Sequence, residues 1–103
     1  MAAKGYWIGR VDVADPQAYQ KYVAANARPF AAYGARFLVR GGAFESMEGG
    51  ARSRNVVIEF PSYQAALECY RSADYQEAMK HRAAPVADAD ILVVEGYDGP
   101  QPS

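Results

Sequence analysis

Apolar residues change period several times along the chain, and each change predicts an element. Gly5 to Val13 is dominated by aromatic and β-branched residues and reads as a first strand, closed by Asp15-Pro16. Asp15 suits a helix N-cap and Pro16 the first helical position. From Pro16 to Tyr33 the step lengthens to three and four. Tyr19, Tyr22, Val23, Asn26, Phe30 and Tyr33 then fall on one helical face. Pro29 predicts a kink or restart within that helix, and Gly34 a C-terminal cap. A second strand is expected at Ala35 to Arg40, with Ala43 to Met47 continuing it past Gly41-Gly42. The glycine-rich Glu48 to Ser53 reads as a hairpin loop. Asn55 to Phe60 is a third strand, apolar enough to be interior. Ser62 and Ser72 cap two further helical segments, one with Tyr63, Ala66, Leu67 and Tyr70 on a face, the other with Tyr75, Ala78, Met79 and Arg82. Ala83 to Asp90 reads as a loop, and Asp90 to Tyr97 as a fourth strand.

The order β-α-β-β-α-β predicts an α+β class and a ferredoxin-like arrangement: an antiparallel sheet in the order 4-1-3-2 with the helices on one face. Residues 1–98 would form one domain and residues 99–103 a flexible tail. With helices on one side only, the other sheet face should alternate with polar residues. Val56-Val57-Ile58 and Ile91-Leu92-Val93-Val94 are instead apolar on both faces. The chain holds nothing further to cover the open side, so a homodimer is expected, sheet face against sheet face.

Composition narrows the function classes. The 103 residues carry 11 basic and 12 acidic side chains, a net charge of −1, which gives no electrostatic case for nucleic acid or a membrane surface. No apolar run approaches the roughly 20 residues of a membrane helix. The first residues lack the apolar stretch of a signal peptide, so a cytoplasmic location is expected. One cysteine, Cys69, and one histidine, His81, make no metal-binding cluster. Cys69 reads as core and His81 as a solvated member of a Lys80–Arg82 patch. No phosphate loop or dinucleotide motif is present, and no cofactor is called for.

Charges on the strands are the candidate chemistry. Period-two alternation groups Tyr6, Ile8, Arg10 and Asp12 on one side of strand one, and Leu38 with Arg40 in strand two. It likewise groups Asn55, Val57 and Glu59 in strand three, and Ile91, Val93, Glu95 and Tyr97 in strand four. Arg40 could grip a carboxylate or enolate oxygen in forked geometry, with Glu59 as a base. Asn26, Tyr6, Phe30, Tyr70 and Arg82 would line the ligand site. The alternative is a non-catalytic homodimer in which these charges form an interface network, the tyrosines are core and Asn26 is a satisfied amide.

Several stretches together resemble the domain-of-unknown-function family 1330: Gly5-Tyr6-Trp7-Ile8, Tyr33 to Gly42, Glu59-Phe60-Pro61-Ser62, Tyr70 to Tyr75 and Val94-Glu95-Gly96-Tyr97. The resemblance spans roughly residues 4 to 98. It implies a dimeric α+β barrel of ferredoxin-like topology, similar to the antibiotic-biosynthesis monooxygenases and stress-responsive barrel proteins, and it implies no established activity. The expectation is an uncharacterised small dimeric barrel that binds or converts a small acidic or aromatic molecule without a cofactor.

Overall fold

The computed structural model describes residues 3–102. The chain runs β1 (Gly5–Val13), α1 (Pro16–Ala32), β2 (Arg36–Arg40), β3 (Arg54–Phe60), α2 (Tyr63–Arg71), α3 (Ala73–Met79) and β4 (Ala87–Glu95), with a 3-10 turn at Lys80–Arg82. Met1, Ala2 and Ser103, the last residue of the expected tail, lie outside the described residues. The strands form one antiparallel sheet in the order 2-3-1-4, the expected 4-1-3-2 read from the other edge.

Helix starts follow their caps. The side chains of Asp15, Ser62 and Ser72 accept from the N–H groups of Ala18, Ala65 and Tyr75 at 3.0, 3.0 and 3.2 Å, each satisfying an otherwise orphaned donor. Gly34, at φ +74°, turns the chain out of α1. Ala35 N–H then closes the helix end on the Phe30 carbonyl at 2.9 Å.

Three boundaries differ from expectation. Helix α1 runs through Pro29 without a restart, and Pro29 itself is buried. Only one further turn follows the proline, so little helix depends on the missing N–H. Strand β4 starts at Ala87 rather than Asp90. Its aspartates looked like loop residues, but Asp88 and Asp90 are exposed and flank an arginine, while Ala87 and Ala89 turn inward. Ala43–Met47 forms no strand: Gly41, at φ +69°, breaks β2, and residues 41–53 cross to β3 without regular structure.

Register sorts side chains into rows across the sheet. On the helix-covered face one row is Phe37, Ile58, Trp7 and Val93, and the next is Arg40, Val56, Gly9 and Ile91. On the open face an aliphatic row, Val39, Val57, Ile8 and Leu92, crosses all four strands. Trp7 is the hub of the covered side. Its ring centroid lies 4.9 Å from Tyr75, 5.1 Å from Phe30, 5.5 Å from Phe60 and 5.6 Å from Tyr70. Its indole N–H donates to the Ala66 carbonyl at 2.8 Å, which ties β1 to α2.

Candidate functional site

Gly9 stands in the central strand between Trp7 and Val11, both buried on the covered face. A Cβ there would meet only ordinary contacts, Ile91 Cγ1 at 3.6 Å and Val56 Cβ at 4.0 Å. The missing side chain leaves space beneath α1. That space is a narrow cavity of about 40 Å³ lined by Gly9, Trp7, Tyr19, Tyr22, Phe30 and Phe37 among others. A wider hollow of about 280 Å³ adjoins it, bordered by Val13, Pro16 and Gln20, with Tyr19, Val23, Arg40 and Arg54 shared between the two. At about 10–15 Å³ for the centre of one water, the inner space suits a small polar group and the outer one its larger body.

Three arginines border the inner cavity: Arg40, Arg54 and Arg82. Their guanidinium carbons lie 3.9 Å from the Phe37 ring centroid, 5.8 Å from Tyr19 and 5.3 Å from Tyr22, respectively. Among the described residues no aspartate or glutamate lines the cavity, and none of the three arginines makes an ion pair. The Nε atoms of Arg54 and Arg82 are buried without a hydrogen-bond partner. So is Oδ1 of Asn26, a residue only 4% exposed. Buried polar groups are rarely left so.

Arg82 Nη2 donates to the Tyr75 hydroxyl at 3.2 Å, and that hydroxyl shares a 2.7 Å hydrogen bond with Tyr22. Burial, then neighbouring Tyr22, holds the Tyr75 phenol well above its ordinary pKa. Burial also raises Tyr19. Burial works against the Arg82 cation, but Tyr75 and Tyr22 outweigh it and leave its pKa above the ordinary value. The wall therefore offers cations and neutral phenols, a setting for an anion. Cys69 takes no part: burial pushes its thiol up to about 12, and its Sγ lies 3.7 Å from the Pro29 carbonyl.

The sequence candidates divide. Asn26, Phe30, Arg40 and Arg82 meet on the cavity. Glu59 does not. It lies between Arg36 and Tyr6 on the open face, where it accepts from the Tyr6 hydroxyl at 3.2 Å. Burial and this bond raise the Tyr6 phenol's pKa. Glu59 and Arg40 thus sit on opposite sides of the sheet. The pairing of Leu38 with Arg40 fails because the β2–β3 register shifts between Phe37 and Val39, which sends Arg40 to the covered face. Tyr70 packs on Trp7 and Tyr75 and donates to Met79 Sδ at 3.5 Å, outside the cavity lining. Ile91 and Val93 fall on the covered face with Gly9 and Trp7. Arg54 and Gly9 complete the site and escaped the sequence reading.

Four antiparallel strands with all helices on one face, and a cavity between the layers, define a ferredoxin-like α+β protein. The profile of "Domain of unknown function (DUF1330)" matches residues 4–97, and the chain belongs to that family. Solved structures share the fold. A protein of unknown function from Rhodopseudomonas palustris, RPA0582, is 22% identical with a TM-score of 0.71, over 96% of this chain and 86% of that one. SnoaB, a cofactor-independent oxygenase from Streptomyces nogalater, is 13% identical with a TM-score of 0.61, over 98% and 97%. A dimeric ferredoxin-like protein of unknown function from Thermobifida fusca is 17% identical with a TM-score of 0.61, over 92% of each chain. No curated protein matches this chain. No helix among the described residues is long and apolar enough to cross a membrane.

Proposed function

We propose that this chain is a homodimer whose subunits each bind a small anionic molecule, acidic or aromatic, between sheet and helix α1, without a cofactor. One observation carries the ligand reading: three arginines on an aromatic cavity that holds no carboxylate. A guanidinium buried against tyrosine rings without a counter-ion is costly, and a bound carboxylate or enolate would relieve it in forked geometry. Arg40 and Arg54, at the junction with the outer hollow, would draw the anion in, and Arg82 would hold it. Glu59 lies outside this cavity, so the reading assigns it to the dimer seam rather than to proton abstraction.

The dimer rests on surface. The chain exposes 6787 Å², about 1,100 Å² more than a monomer of this mass ordinarily does. An ordinary interface hides roughly 800 Å² per partner. The chain is a slab of 44 × 35 × 16 Å, thin because one face is bare. Ile8, Leu92, Val94 and Val39 on that face are 39, 54, 39 and 40% exposed. A second copy on the aliphatic row would supply the missing layer. The Thermobifida protein, described as dimeric, is consistent with this.

Calorimetric titration tests the ligand reading with phenylacetate against neutral phenylacetamide. Phenylacetate should bind and the amide should not. Arg82→Met should weaken phenylacetate by roughly 10- to 150-fold, the worth of a charge-assisted hydrogen bond of about 1.5–3 kcal/mol. Arg52→Met, remote from the cavity, should leave it unchanged. Equal binding of acid and amide, or none of either at millimolar concentration, sinks the reading. That outcome would favour a non-catalytic homodimer with the open-face charges as an interface network, a reading supported by the Tyr6–Glu59 bond and the Arg52 cluster.

A further inference from the structure

The three cavity arginines are not evenly spread. Arg40 pairs with Val56 across the β2–β3 ladder, and Arg54 precedes Val56 by two residues on the same covered face. The two are therefore diagonal neighbours on adjacent strands, roughly 7–8 Å apart. The Arg54 side chain leans further toward β2: a Cβ added to Gly41, the residue after Arg40, would fall 2.5 Å from Arg54 Nη1. Two like charges thus stand side by side at the junction of the inner cavity and the outer hollow, both of which they line. Arg82 stands apart. It comes from the 3-10 turn in the helical layer, borders only the inner cavity and is anchored on the Tyr75 hydroxyl. Among the described residues no carboxylate lines either space.

Charge and space together set how many anionic groups the site takes. The inner cavity, about 40 Å³, holds little more than one small head group. A monoacid seated there on Arg82 leaves the Arg40–Arg54 pair without a counter-charge, and like charges on neighbouring strands repel. Burial without a partner is confined to Nε in Arg54 and Arg82, which leaves their terminal nitrogens to meet an occupant. Tyr19 connects the two places. It lines both spaces, its ring centroid is 5.8 Å from the Arg54 guanidinium carbon, and it lies 5.3 Å from the Tyr22 ring that Arg82 overlies. Burial raises the Tyr19 phenol's pKa, Tyr22 adds to the rise, and Arg54 and Arg82 both oppose it. One side chain therefore feels the inner and the outer charge, and a single small molecule can span them. We infer that the site takes aromatic dianions: one carboxylate on Arg82 in the inner cavity, a ring beside Tyr19 and Val23, and a second carboxylate between Arg40 and Arg54. The inference rests on the anion-binding reading above and adds a second charge to its ligand.

The ortho and para isomers of carboxyphenylacetate are the probes, each set beside the carbamoyl analogue that keeps its shape and loses the second charge. In calorimetric titration of the full chain, one isomer should bind roughly tenfold or more tightly than its carbamoyl analogue, the worth of one charge-assisted hydrogen bond. Arg40→Met and Arg54→Met should each lower that ratio, and the double variant should bring it close to one. Arg40→Met, at an exposed residue of an edge strand, serves alone should the double variant not fold. Arg52→Met removes a charge from the other side of the sheet and should keep the ratio. Equal affinity of diacid and analogue for both isomers overturns the inference and leaves anion binding standing. So does failure of both isomers where phenylacetate binds. A ratio that survives the arginine substitutions, or that Arg52→Met lowers as much, also overturns it. If phenylacetate fails to bind as well, the anion-binding reading itself falls.

Discussion

Arg52 and Arg54 lie two residues apart and meet opposite environments. Arg52 reaches over the open side of the sheet and is surrounded by acid: Nη1 is 3.0 Å from Asp12 and 3.2 Å from Asp88, and Nε is 2.9 Å from Asp90. Arg54, on the covered side, shares a cavity with two more arginines and no acid at all. The first arrangement is complete and structural. It ties the long 41–53 connection to β1 and β4, and its pairs are exposed enough that each adds little stability. The second has no ion pair among the described residues. The saturated charge beside exposed aliphatics supports the proposed dimer face, and the unpaired arginines beside aromatics support the proposed anion site.

The largest effect should come from breaking the open side. Ile8 sits at the centre of the aliphatic row, between Val57 and Leu92. A carboxylate there would have to be desolvated on dimerisation, at several kcal/mol. Ile8→Asp should therefore shift the mass by light scattering from twice 11.2 kDa to 11.2 kDa. A wild type that already scatters as one chain removes the dimer from the account.

Gly9→Val sharpens the contrast from the covered side. Its Cβ meets only ordinary contacts, so the added methyl groups fill empty space and should raise stability by about 0.5–2 kcal/mol. The same groups occupy the floor of the cavity and should weaken phenylacetate at least tenfold. Opposite signs in thermal melting and in titration are the expected signature. A loss of stability with affinity intact would mean that the space above Gly9 is not the binding site.

The smallest effect belongs to pH. The Ser53 N–H, donating at 2.9 Å, holds the Asp12 carboxyl below its ordinary pKa against partial desolvation, with Arg52 assisting. A depressed folded value means that this carboxylate stabilises the fold above the ordinary pKa of 3.8 and that the contribution fades as pH falls through the folded value. Melting from pH 5 downward should show a shallow acid limb, reduced in Asp12→Asn. An identical limb in that variant would show the pair to be energetically silent.

The fold was legible because its signals are local and agree. Asp15, Ser62 and Ser72 mark helix starts whose caps form as read. Periods of two and of three to four separate strands from helices, and the apolar content of Asn55–Phe60 places β3 inside the sheet. The cavity was legible only in part. Helical period put Asn26 and Phe30 on the inner face of α1, and the same period, continued from Tyr75 and Met79 past the end of α3, did the same for Arg82. Arg40 reached the site by a route that alternation does not encode, the shift at Leu38. The same alternation, followed faithfully in β3, places Glu59 on the other face. Arg54 reads as the polar start of a strand, and Gly9 as a weak strand position. Its place between Trp7 and Val11 on the inward face was the available signal for a hole in the core.

Trp7 is the sole tryptophan of the chain. Its ring is buried, lines the cavity two residues from Gly9, and is fixed by its bond to the Ala66 carbonyl. Indole emission depends on the polarity and charge around the ring. The protein thus carries a native fluorophore at the place where an occupant would change both, and filling the cavity should be visible as a spectral change with no label attached.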